Sequence, residues 1–412
     1  MIRKHALILL LGILTLSSRE QIKILFDATK AETAGNADWV IDADQHNLGY
    51  SSGPAVVGQG DESNAQRIPT PAQSGITQST SETFWDGALS AWGIDCVKKG
   101  YAVETLPYNG QITYGNTSNA QDLSKYKVFV VCEPNIVFSS SEKTAILHFV
   151  QNGGGLFMVS DHDNSDRNND GWDSPHIWND LMSNNTVATN PFGITFDYAD
   201  FSQTTTNLPN LPSDPLLHGI MGTVTKAMWS SGTSMTLSAA QNASVVGVVY
   251  KTGSGFGSSN VMVAHVTYGN GRVVGFGDSS PCDDGTGDPN DQLYNGWTGD
   301  ASGNHEKLIM NATIWLASST ATGIGTENPS SGKFLLFPNP VQDFCTLEIG
   351  QEQQVTEACV FVYDSFAKEV IRINSTHSRS IILDVRSLLP GIYFIRILND
   401  GKLLGTGKLI KE

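Results

Sequence analysis

Three acid-rich segments each follow an apolar run. Asp27 closes the run Ile22–Asp27 and is followed by Glu32 and Asp38. Asp161-His162-Asp163 follows GLFMVS and continues through Asp166, Asn168, Asp170 and Asp173. Asp278 follows VVGFG and continues through Asp283, Asp284, Asp288 and Asp291. Carboxylates gathered in this way can ligate a hard cation, pass protons, or bond the amides of their own turn. In an open α/β sheet, ligands bind outside the carboxyl ends of the strands. If the three runs are parallel neighbours, the acids meet at one edge. The expected metal ligands are then Asp27, Asp161, Asp163, Asp166, Asn168, Asp170 and Asp278.

Asp166-x-Asn168-x-Asp170-Gly171 matches the first half of a calcium loop, where alternate positions aim oxygens at one point and glycine permits the turn. The match ends there, because Ile177 stands where a bidentate Glu is required. Calcium is expected with ligands shared among neighbouring loops; the competing reading is an Asx-rich turn whose side chains bond the local backbone. No organic cofactor is expected. His162, between two aspartates, suits a metal ligand or a general base, and His305 is a second candidate near the same edge. The candidate catalytic residues are therefore Asp161, His162, Asp163, Asp278 and His305. Ser160, Ser279 and Ser280 lack the flanking glycines of a strained nucleophile turn. Gly253-Ser-Gly255-Phe-Gly257 has no helix after it, so it reads as a loop between strands rather than a phosphate cradle. Trp172, Trp178, Tyr198, Tyr294 and Trp297 lie near the acidic segments, where flat rings suit sugar faces, whereas Trp92 and Trp315 read as helical core. Cys96 and Cys132 fall in apolar stretches, Cys282 in a polar loop is the candidate reactive thiol, and the cysteine spacings offer no disulfide framework.

The elements that must position these residues alternate in type. Ile22–Asp27, Tyr101–Leu106, Lys127–Val131 and Gly155–Ser160 read as strands, the first as one buried on both faces of a parallel sheet. Val245–Tyr250, Val261–His265 and Arg272–Gly277 follow, the last two joined through Gly269-Asn270-Gly271. Apolar spacing predicts helices over Ser81–Lys99, from a Ser139/Glu142 capping box to Gly153, and over Asn304–Leu316. This pattern predicts the α/β class: a three-layer sandwich with a mostly parallel, flavodoxin-like sheet over residues 21–318. Asp44–Ser79 has no periodicity and reads as a functional loop or an insert. Residues 319–333 form a Ser/Thr/Gly/Pro-rich linker, and residues 334–412 alternate as the short strands of a small all-β, Ig-like sandwich.

Charge narrows the function. The chain carries a net −16 overall; residues 21–332 hold 13 basic and 31 acidic groups, whereas residues 333–412 hold nine of each. That field repels a phosphate backbone and excludes nucleic acid as an expected partner. Hydrophobic residues make up 40% of the chain, enough to bury cores and to argue against intrinsic disorder. Arg3, Lys4 and His5 precede an apolar run from Ala6 to Leu16, which reads as an export signal over residues 1–20 cut between Ser17 and Gln21. The run is shorter than the roughly 20 residues that span a bilayer. No transmembrane segment is expected in the mature chain.

The tail reads FLLFPNP, DFCTLEI, VFVYDSFAKEV, LDVRSLLPGIYFIRI and GKLIKE in order. It resembles the type IX secretion sorting domain of the Bacteroidetes, with Pro338-Asn339-Pro340, Asp364, Gly391-Ile392-Tyr393 and Lys408/Lys411 at that family's landmarks. Ala367 stands where a turn glycine is usual. The resemblance implies passage across the outer membrane to the cell surface or the medium, with the type IX machinery as partner. FVQNGGGLFMVSDHD and RVVGFGDSS…NHEKLIMNATIWL resemble the class I glutamine amidotransferase-like superfamily across residues 21–318. That resemblance places a nucleophile elbow at Ser160–His162, where no cysteine stands, and so implies a catalytically divergent domain. The function expected is an exported surface protein whose α/β domain holds a divalent cation and engages a carbohydrate or another surface polymer. The alternative is a metal-assisted hydrolase using Asp161, His162 and Asp163 with Asp27 and Asp278. Convergence of Asp27, Asp161 and Asp278 around an open coordination position would favour the hydrolase.

Overall fold

The computed structural model describes residues 21–32, 37–42, 48–49, 56–57, 72–85, 87–287, 294–299, 301, 303–318, 334–337, 341–349, 355–364 and 368–411. The export-signal stretch, the linker, most of Asp44–Ser79, Asp288, Asp291, Pro338-Asn339-Pro340 and Ala367 lie outside the described residues. The chain divides into two compact units, residues 1–321 and 322–412.

In the first unit the apolar runs become strands β1 (Lys23–Asp27), β2 (Ala102–Leu106), β3 (Val128–Cys132) and β4 (Gly155–Val159). Later strands are β5 (Ile194–Phe196), β6 (Phe201–Thr205), β7 (Ala227–Gly232), β8 (Met235–Leu237), β9 (Val246–Tyr250), β10 (Val261–Tyr268) and β11 (Gly271–Phe276). The main sheet runs β2-β1-β3-β4-β11-β10-β8-β5, with β9 also paired to β10. Its first five strands are mutually parallel. From β10 onward the pairing is antiparallel. The turn between β10 and β11 needs Gly269, whose φ of +59° is left-handed.

Alternation along the parallel strands feeds two apolar layers. Ile24, Phe26, Val128, Val130, Cys132, Phe157 and Val159 face helices α1 (Ser90–Lys98) and α4 (His305–Ala317). Leu25, Phe129, Val131, Leu156 and Met158 face α2 (Ser140–Gln151) and α3 (Ser174–Ser183). Trp92 of α1 sits edge-on to Phe26 and Phe157, and its Nε1 donates to Thr313 Oγ1 of α4 at 2.9 Å. One ring thus ties two helices to the sheet.

Two helix boundaries instruct. The helix from Ser139 forms with both halves of its capping box in place. The one expected over Ser81–Lys99 starts only at Ser90. The amides of Ala88 and Leu89 donate instead to the carbonyls of Asp38 and Val40, at 3.0 and 2.9 Å. A side chain at Gly87 would meet the Val40 carbonyl oxygen at 2.5 Å, so the two segments can approach this closely only through glycine.

The second unit is an all-β sandwich. One sheet joins β12 (Phe334–Phe337), β13 (Phe344–Ile349) and β16 (Ser380–Asp384); the other joins β14 (Glu357–Tyr363), β15 (Glu369–Thr376), β17 (Gly391–Asn399) and β18 (Lys402–Lys411). Leu347, Ile349 and Leu383 of the first sheet and Val360, Val362, Ile395 and Ile397 of the second share one core. Among the described residues, no helix is long and apolar enough to cross a membrane.

Candidate functional site

The parallel strands β1, β3, β4 and β11 all point their carboxyl ends the same way, and each is followed by acids. Asp27 ends β1, Glu133 follows β3, Asp161 follows β4, and Asp278 follows β11. All four are buried. Glu133, which the sequence pattern did not single out, is central. It takes a left-handed backbone, φ +50°, although it is not glycine. Such strain persists only where surroundings over-determine it, and it clusters at functional sites.

The Glu133 carboxylate forms an ion pair with Arg167 Nε and accepts the Ser279 hydroxyl at 2.7 Å. Arg167 Nη2 also lies 3.5 Å from Asp161 Oδ2, so one guanidinium serves two buried carboxylates. Burial pushes the Asp161 carboxyl well up, and the charges of Glu133 and Asp278 push it further. Burial lifts Asp278 to about 8, although the Ser280 and Ser230 amides donate to it at 2.8 and 2.5 Å. Asp27 and Glu32 pair separately, away from Arg167. Both are raised, chiefly by burial, and the Asp27 charge raises Glu32 further.

A second layer lies nearer solvent. Asp173 caps α3, accepting the His176 amide at 3.1 Å and the Asn164 amide at 2.7 Å. Its Oδ1 also sits 2.5 Å from His176 Nδ1. Asp163, Asp173 and His176 offer one donor atom each, all within 4.8 Å of one another. Among the described residues this is the group of metal-ligating side chains that shares one ion-sized volume; Asp27, Asp161 and Asp278 do not. The Tyr198 ring stacks on His176 with centroids 4.0 Å apart, and exposed Trp172 precedes Asp173 in the chain.

The remaining candidates take defined places. Asp166 accepts the amides of Asp170 and Gly171 at 3.2 and 2.7 Å, Asn168 accepts the Asp170 amide at 3.3 Å, and Asp170 accepts that of Trp172 at 2.9 Å. These are Asx-type turn bonds. His162 Nδ1 lies 2.7 Å from the Asp163 carbonyl oxygen, and its Nε2 lies 3.6 Å from Asp161 Oδ2. His305 is buried, with Nδ1 2.7 Å from the Gly296 carbonyl oxygen and Nε2 accepting the Met228 amide at 3.0 Å. Both of its ring nitrogens hold backbone, which makes it a structural histidine. A cavity of about 180 Å³ opens beside Asp278, lined by Met228, Ser230, Ser280, Tyr294, Asn295 and His305. Ordinary small-molecule pockets run to about 300–1,000 Å³, so this one suits only a small guest. Burial corrects the expectations for two tryptophans near the acidic segments and for the thiol in the polar loop. Trp178 and Trp297 are buried in the apolar layers and present no face to a sugar, and Cys282 is fully buried rather than exposed in its loop.

Residues 335–412 match the family of secretion system C-terminal sorting domains. The tail is therefore a type IX sorting domain, and the chain is a secreted or cell-surface protein that engages the type IX machinery. No curated protein matches the chain. Among solved structures, the N-terminal domain of mmIFT52 is similar at 11% identity over 72% of this chain and 97% of its own, with a TM-score of 0.41. A putative ThuA-like protein from Parabacteroides merdae is similar at 13% identity, over 75% and 94% of the two chains, with a TM-score of 0.32. A DUF3244-family immunoglobulin-like β-sandwich from Bacteroides vulgatus is similar at 17% identity, over 22% and 92%, with a TM-score of 0.17. At these scores none of the three carries an argument about what this chain binds.

Proposed function

We propose that the α/β unit is a binding module that holds one divalent cation at Asp163, Asp173 and His176 and engages a carbohydrate or another surface polymer there. On this reading the unit is an amidotransferase-like domain with a flavodoxin-like parallel block, divergent in chemistry because its strand ends carry acids where a cysteine nucleophile would stand. The observation that carries the cation is the mutual approach of the three donor atoms within 4.8 Å. The donor set fits an ion. Two carboxylates and an imidazole suit a borderline divalent ion such as zinc better than calcium, which prefers oxygen alone. The stacked Tyr198 and exposed Trp172 supply flat apolar surface beside it. The metal-assisted hydrolase stays as the second reading for one reason: three protein ligands leave a coordination position open.

Elemental analysis of the full-length protein, followed by zinc titration calorimetry, tests the site. One ion per chain is expected, with affinity lowered at least tenfold in His176→Ala and in Asp173→Asn, the latter keeping a residue that caps helices well. Unchanged affinity in both variants sinks the site. Glycan-array binding that vanishes with EDTA supports the binding module, whereas turnover of ester or glycoside substrates without retained binding moves the reading to the hydrolase.

A further inference from the structure

We propose that side-chain amides close both edges of the main sheet against a strand from a second copy of this chain. Among the described residues, β2 and β5 are the two end strands of that sheet. On the β1 side, the Ala102 amide donates to the Ile22 carbonyl and the Leu106 carbonyl accepts the Ala28 amide, both at 2.9 Å. Alternation therefore turns the backbone groups of Val103 and Thr105 outward, away from β1. Gln73 meets Val103 with both ends of its carboxamide. Its Nε2 donates to the Val103 carbonyl at 2.9 Å, and its Oε1 accepts the Val103 amide at 3.1 Å. Gln121 Nε2 donates to the Thr105 carbonyl at 2.9 Å.

The far edge repeats the arrangement with residues from unrelated segments. On the β8 side, the Asp197 amide donates to the Ser234 carbonyl at 2.8 Å, so Ile194 and Phe196 turn their backbone groups outward. Asn179, on α3, donates through Nδ2 to the Phe196 carbonyl and accepts the Phe196 amide on Oδ1, both at 2.8 Å. Asn190 Oδ1 accepts the Ile194 amide at 3.2 Å. A carboxamide carries donor and acceptor in one plane, as a peptide group does, and so can take the place of one residue of a further strand. An edge left open is a template for another chain. The β2 edge is the more vulnerable, because it spans five residues where β5 spans three. Its fitting occupant is its own copy. A two-fold axis through Glu104 would set Val103 of one copy opposite Thr105 of the other, and the groups now held by Gln73 and Gln121 would hold the second strand instead.

The test is light scattering on full-length protein over a range of concentration, with hydrogen exchange across β2 read by mass spectrometry. The wild type should keep a monomer's mass throughout. In dilute Gln73→Ala the Val103 amide should exchange about tenfold faster, the size expected for one lost hydrogen bond. As concentration rises, the mass of this variant should climb toward twice the monomer value while protection returns to β2. Gln73→Ala/Asn179→Ala opens both edges, so its association should run past the dimer. Gln73→Glu keeps an acceptor for the Val103 amide but places a charge on the edge, and it should stay monomeric. A Gln73→Ala protein that remains monomeric at every concentration overturns the proposal. Association of Gln73→Glu equal to that of Gln73→Ala overturns it as well, because the contact would then not run through the β2 edge.

Discussion

The two edges of the parallel sheet use charge in opposite ways. At the amino edge, Lys127 Nζ donates to the Gly153 carbonyl at 2.7 Å, just past the end of α2. Arg272 Nη1 donates to the Trp315 carbonyl and the Ser318 hydroxyl at the end of α4, at 2.5 and 2.6 Å. Each of these two cations completes a helix C-terminus, where carbonyls lack partners and the helix dipole favours positive charge. At the carboxyl edge, Glu133, Asp161 and Asp278 lie together in the interior, and Arg167 is the cation that reaches Glu133 and Asp161. At the amino edge, Lys127 and Arg272 are explained by the helix ends they complete, and Lys23 at the start of β1 by its ion pair with Glu104. Charge at the carboxyl edge exceeds what any local turn requires, and that surplus is the reason the proposed site is sought on this side of the sheet.

The largest effect should come from removing the shared cation. Arg167→Met leaves the buried Glu133 carboxylate without its ion-pair partner and should cost about 3–5 kcal/mol in urea unfolding. Lys127→Met, at the half-buried amino edge, should cost about 1–2 kcal/mol for a lost charge-assisted bond. Equal losses in the two variants would erase the distinction between the edges.

The second test is the sign of the pH response. Asp278 is lifted by burial from its ordinary 3.8 to about 8. The folded state therefore holds a proton that the unfolded chain releases near pH 4, so this contribution to stability is present below pH 4 and is lost as pH rises toward 8. Lys127 moves the other way. Burial, helped by the Arg272 charge, lowers it from 10.5 to about 8. Its contribution is present above pH 10.5 and is lost as pH falls through 8. Unfolding free energy should thus decline between pH 5 and 7.5, with a slope approaching about 1.4 kcal/mol per pH unit for each proton held. Asp278→Asn should lessen that slope by one proton's share, because Asp161, Asp27 and Glu32 are raised by burial as well, while leaving the alkaline limb intact. An unchanged slope would mean that the carboxyl is ionised in the folded protein.

How far the sequence exposes this edge can be followed residue by residue. Asp27, Asp161 and Asp278 were legible because each closes a continuous apolar run, and such runs are the signature of strands buried on both faces. Glu133 obeys the same rule, directly after VFVVC, but a single acid before Pro134 and Asn135 gives no cluster, and its left-handed backbone has no sequence signal. Arg167 was visible as a lone cation inside an acid-rich loop; its reach to β3 was not. Helix α3, which apolar spacing did not predict, carries a start signal in Asp173 as cap and Pro175 in the first turn. The calcium-like spacing just before it, Asp166 to Gly171, carries no signal for His176 as a ligand. In the antiparallel half, β5 and β8 span three residues each, too short for alternation to register.

The smallest expected effect also lies at the carboxyl edge, and it separates local from collective stabilisation. Helix α2 begins there, with the Ser139 hydroxyl accepting the Glu142 amide at 3.3 Å and Glu142 Oε2 accepting the Ser139 amide at 2.7 Å. Ser139→Ala should cost about 1 kcal/mol, the usual value of an N-cap. It touches neither Arg167 nor the buried acids. The variant's unfolding curve should therefore shift by the same amount at pH 5 and pH 7.5, where Arg167→Met should show a pH-dependent loss. A pH-dependent shift in Ser139→Ala would mean that the cap is coupled to the acid layer, through the bond from Lys30 Nζ to Glu142 Oε1 at 2.7 Å. The edge would then behave as one electrostatic unit rather than as a capped helix beside a charged site.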